Sequence, residues 1–123
     1  MPADIPEEFV MLKGQILDGM IECMELDGES DAGYSNEEVD RCAILLEEYL
    51  EEVLSPTIYG NSRKIRKVVQ SAVIALNELN AACDHSLIET DQREQICELI
   101  ISAAVNAGLK TDGNDITEEW REW

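Results

Sequence analysis

Apolar residues in this chain recur at intervals of three and four in four separate segments, and that spacing constrains the fold more than any other feature. A stripe of this period lies along one side of a helix and has to be buried against another element. The first segment, about 6–26, carries Phe9, Leu12, Ile16, Met20 and Met24, with Val10, Leu17 and Ile21 widening the stripe. Pro6 suits a first helical turn, Glu7 and Glu8 complement the positive end of the dipole, and Gly28 follows as a stop. The second, about 36–54, carries Val39, Cys42, Ala43, Leu46, Tyr49, Leu50 and Val53, and Ser55-Pro56 closes it. Ser35-Asn36-Glu37-Glu38 fits a capping box at its start.

The third segment, about 62–83, places Ile65, Val68, Val69, Ala72, Val73, Leu76 and Leu79 on one stripe. Past its first turns it is the least charged of the four, which predicts a central position. The fourth, about 91–107, runs through Ile96, Leu99, Ile100, Ala103 and Ala104, with Thr90 and Asp91 as caps and Gly108 as a left-handed stop. The tail 115–123, with a last turn at about 117–122, keeps both tryptophans, Trp120 and Trp123, three apart and so on one helical face, which predicts a tail that docks on its own bundle or on another chain. No sustained alternation bounded by turn residues predicts a strand. The fold expected is all-α: a single-domain antiparallel four-helix bundle spanning 1–123, with a short C-terminal helical tail.

Charge narrows the function classes. The 123 residues hold 27 Asp and Glu against 9 Lys and Arg, a net charge of −18, which excludes a nucleic-acid binder built on phosphate neutralisation. Hydrophobic residues make up 45% of the chain, enough to build a core despite that charge. The opening residues show neither a basic region followed by an apolar one nor any span-length apolar run, which predicts a cytoplasmic chain with no membrane partner. Cys23, Cys42, Cys83 and Cys97 are few, widely spaced and mostly inside apolar patterns, so they read as buried free thiols.

The sharpest local pattern is Asp27-Gly28-Glu29-Ser30-Asp31-Ala32-Gly33-Tyr34-Ser35-Asn36-Glu37-Glu38. Acidic residues at its first, third and fifth positions and a glutamate at its twelfth, between two helices, resemble the calcium loop of the EF-hand family over these twelve residues. The resemblance implies an ion-responsive module. Ala32 stands where the family's sharp turn has glycine, Gly33 comes one place late, and Tyr34 occupies the aliphatic position. The plainer reading is an acidic connection leading into a capped helix. The shorter Lys110-Thr111-Asp112-Gly113-Asn114-Asp115-Ile116 reads as a turn.

Catalytic and metal chemistry find little material. Cys83-Asp84-His85 brings a thiol near the sole histidine, but no second histidine or Cys-x-x-Cys completes a zinc site. A di-iron bundle needs two Glu-x-x-His pairs, and Ala82 stands where the glutamate before His85 would be. No catalytic residue, metal or cofactor is therefore expected, and no enzyme. Leu87 and Ile88 beside them read as a cap on the core.

Four of the nine cations, Arg63, Lys64, Arg66 and Lys67, gather in the first turns of segment three, where the dipole disfavours them. The reading preferred is that Glu47, Glu48, Glu51 and Glu52 fold back across the intervening turn to pair with them; the alternative is an anion site at the helix start. The function expected is a small acidic interaction protein. Its carboxylates at Glu47, Glu48, Glu51, Glu52, Glu29 and Asp31 would meet a basic protein, as an inhibitor, an immunity-like protein or a nucleic-acid mimic does. The alternatives are acidity that serves solubility alone and the ion-responsive loop. Homodimerisation through a residual stripe or the tryptophan tail is compatible with each.

Overall fold

The computed structural model describes residues 5–27, 34–110 and 116–123. Among these residues it has four α-helices and no strand: α1 (Glu7–Asp27), α2 (Asn36–Val53), α3 (Ser62–Ala82) and α4 (Thr90–Asn106), with a 3-10 turn at Pro56–Ile58. The stripes meet in one core. Ile16 and Met20 of α1, Leu46 and Leu50 of α2, Ile65 and Leu76 of α3, and Ile96, Leu99 and Ile100 of α4 are its largest fully buried side chains. Leu87 and Ile88, in the connection before α4, are buried with them.

Helix packing is that of a bundle. α2 lies along α3 and α1 along α4, while α1 also packs on α2. α2 and α4 each touch all three other helices, whereas α3 packs mainly on α2 and only sparsely on α4. The central position expected for α3 is thus not observed. Its low charge reflects outward small and aliphatic residues, Ile74, Ala81 and Ala82, rather than burial on every side.

Helix ends follow local chemistry, with three departures. Ser35 does not cap α2 with its side chain; its hydroxyl donates instead to the Glu38 carboxylate at 2.9 Å, so the reciprocal box is not formed. The N-cap of α4 is Glu89, without a side-chain cap bond, so neither Thr90 nor Asp91 plays that part. Residues 116–120 form a hydrogen-bonded turn, with the Trp120 and Arg121 amides donating to the Thr117 carbonyl, not a helix. Elsewhere Asn61 caps α3, its Oδ1 accepting from the Lys64 amide at 3.1 Å.

α4 ends as its glycine requires. Gly108 has φ 101°, its amide bonds to the Val105 carbonyl and the Leu109 amide to the Ala104 carbonyl, which is a Schellman closure. α3 closes in the same pattern without glycine: the Asp84 and His85 amides reach Ala81 and Asn80, and both residues take positive φ, 55° and 62°. Buried Asn80 secures that strained corner, because its side-chain Oδ1 also accepts from the Ile88 amide at 2.9 Å.

Candidate interaction surfaces

The exposed side of α2 carries Glu47, Glu48, Glu51 and Glu52, two i,i+4 pairs of like charge. Glu47 is ion-paired with Lys13 of α1 at 3.5 Å, and near the helix start Glu37 pairs with Arg41 at 3.9 Å. Glu48, Glu51 and Glu52 make no ion pair among the described residues. Beside them a shallow groove runs between α2 and α3. One cavity there, of about 410 Å3, is lined by Ile44, Leu45, Glu48, Ala75, Glu78 and Leu79 among others, and its neighbour adds Glu52 and Val68. Arg41 lines it as well, so an apolar floor lies between walls that carry Glu48, Glu78 and one cation.

Arg63, Lys64, Arg66 and Lys67 are all exposed, and none of them pairs with an acid among the described residues. The expected fold-back of the α2 glutamates onto these cations does not occur. Ordering two long side chains at a solvated surface costs about as much as the pair returns. Among the described residues these four cations therefore leave Glu48, Glu51 and Glu52 without an ion pair. Asn61 already occupies one amide at the start of α3, and no further feature there marks an anion pocket.

A second groove lies between α1 and α4, with a volume of about 740 Å3. Met11, Leu12, Ile101 and Val105 line it between Glu8 and Glu98, and Met11 and Val105 are 59% and 48% exposed. Periodicity placed Leu12 on the buried stripe and did not single out Met11, Ile101 or Val105, although Met11 and Val105 fall outside their helices' stripes, which was the available signal.

Cys83 and His85 lie at the C-terminal end of α3. Cys83 is only 1% exposed, and burial, with Glu38 and Asp84 nearby, pushes its thiol up and away from the reactive thiolate. His85 sits exposed on the strained corner. Cys42 is buried as well, its thiol pushed up to about 12 by burial first and by Cys83 second. Among the described residues no group of three or more histidines, cysteines and acids is placed to hold a metal ion. No helix among them is long and apolar enough to cross a membrane.

The loop that resembles an EF-hand, and with it Glu29 and Asp31, lies largely outside the described residues. Its eighth position, Tyr34, is buried against α1, the hydroxyl donating to the Met20 carbonyl at 2.6 Å.

The tail is docked on its own chain. Ile116 and Thr117 are buried, Trp120 and Trp123 pack against the core, and the Arg121 guanidinium lies 5.5 Å from the centre of the Trp123 ring. Asn77 of α3 holds the backbone, donating from Nδ2 to the Trp120 carbonyl at 2.7 Å and accepting at Oδ1 from the Glu122 amide at 3.0 Å. Cys97 of α4 accepts from Arg121 at 2.8 Å.

No family model, no curated protein and no solved structure matches this chain.

Proposed function

We propose that the chain is a small acidic interaction protein of the cytoplasm that receives a basic protein along α2, through Glu47, Glu48, Glu51 and Glu52. Glu29 and Asp31, which lie outside the described residues, belong to the same proposed contact. The observation that carries this reading is that, among the described residues, neither Glu48, Glu51 and Glu52 nor the four cations Arg63, Lys64, Arg66 and Lys67 form an ion pair. Like charges at i,i+4 weaken the free helix, and a basic partner laid along this face would relieve them. The adjacent apolar groove adds a surface for the partner's aliphatic groups. An inhibitor, an immunity-like protein or a nucleic-acid mimic would use such a face in the same way.

The architecture behind the face is an antiparallel bundle in this reading. Short connections join α2 to α3 and α3 to α4, and the packing of α1 on α2, α2 on α3 and α1 on α4 supports an up-down-up-down order. Capture from a native lysate at low ionic strength tests the function. A basic protein should be retained and should elute as salt rises; retention of nothing, or of partners indifferent to salt, would overturn the reading.

A further inference from the structure

The segment 116–123 is held as a ligand is held. Asn77 is 8% exposed in the C-terminal third of α3, and both ends of its amide are spent on the backbone of this segment. The Trp120 carbonyl and the Glu122 amide are thus both taken by one side chain, which fixes the backbone where the 116–120 turn ends. Those bonds ignore side-chain identity. Selectivity comes from around them: seats for two aromatic rings three residues apart, and the Cys97 sulfur as acceptor for the arginine between them. The seat exists because α3 and α4 pack only sparsely on one another.

The resident segment does not fill it well. Trp123 Nε1 is buried with no hydrogen-bond partner, a cost that a different aromatic side chain would not carry. A cavity of about 360 Å3, lined by Ile74, Asn77, Glu78 and Ala81 as well as by Trp120 and Glu122, stays open beside it.

We propose that this cleft is a peptide-binding site. Its external ligand is a segment of a partner protein that enters in the same turn conformation, with aromatic residues at i and i+3 and an arginine at i+1, and residues 116–123 are the ligand it holds in its absence. The site is separate from the acidic face of α2 and does not depend on what that face binds.

Both tryptophans of the protein lie in the tail, so the full-length variant Trp120→Ala/Trp123→Ala is dark in tryptophan fluorescence. A synthetic peptide of residues 116–123 added to it should show a saturable blue shift. Asn77→Ala in the same background should weaken that binding roughly ten-fold, as the loss of two hydrogen bonds implies. In the wild-type chain, excess peptide should speed amide exchange of the resident 116–123, a readout that needs no variant to fold. Three results would each overturn the proposal: no shift together with unchanged exchange, binding indifferent to Asn77→Ala, or a wild-type dimer whose tails stay protected, which would assign the cleft to a second copy.

Discussion

The Tyr49 hydroxyl donates to the Ile100 carbonyl at 2.6 Å, tying α2 to α4 across the core with both residues buried. Burial raises the pKa of this phenol further above its ordinary value, so it stays a donor throughout the physiological range. Tyr49→Phe removes the donor, while the Ile100 carbonyl lies mid-helix and keeps its own helical partner. The expected loss is about 1 kcal/mol, read from urea denaturation with the slope unchanged.

Two glycines should respond oppositely to alanine. Gly14 lies inside α1 with open space where a Cβ would go, so Gly14→Ala should stabilise by about 0.5–1 kcal/mol through helix propensity. Gly108 has positive φ, and a Cβ there would sit 3.0 Å from the Gly60 backbone, whose amide bonds the Ala107 carbonyl at 2.8 Å. Gly108→Ala should therefore destabilise by at least about 1 kcal/mol in the same assay.

The buried thiols set an alkaline limit. Cys42 has an ordinary value of 9.0 and is pushed up to about 12 in the folded chain, so folding favours the neutral thiol. Below about pH 9 it is neutral in both states and its contribution is complete; above that the unfolded chain ionises first, and stability falls as pH climbs toward 12. Cys83 and Tyr49 shift in the same direction. Thermal melts should show a falling Tm across that window, less steep in Cys42→Ala. At neutral pH, iodoacetamide should label Cys42 and Cys83 only after denaturation.

Charge on α2 should trade stability against binding. Glu51→Gln and Glu52→Gln each remove a like-charge i,i+4 pair, and each should raise stability by about 0.2–0.5 kcal/mol at low salt. Added sodium chloride should raise the wild-type Tm by screening the same repulsion, and should do so less in the double variant.

The stripes were legible because each is a property of one helix: Ile16, Leu46, Ile65 and Ile96 all occupy core positions that periodicity alone assigns. What was not legible depends on how helices meet. Whether Arg66 reaches Glu51 depends on the rotation of α3 against α2, and a stripe as wide as Val68 to Leu79 leaves that rotation open. Asn77 falls on the stripe's edge and reads as an ordinary polar helical residue until the tail is seen against it. The exposure of Met11 likewise follows from which side of α1 faces α4. Chemistry carried by single residues fared better at Gly108, where positive φ needs glycine, than at Ser35, whose hydroxyl found a carboxylate closer than a backbone amide.

The acidic face itself is tested most directly by the salt dependence of Kd for the captured basic partner, compared between the wild-type chain and Glu48→Gln/Glu51→Gln/Glu52→Gln. The account predicts affinity that falls steeply with salt in the wild type, and a variant that binds more weakly with a shallower slope. Equal affinities with parallel slopes would contradict it.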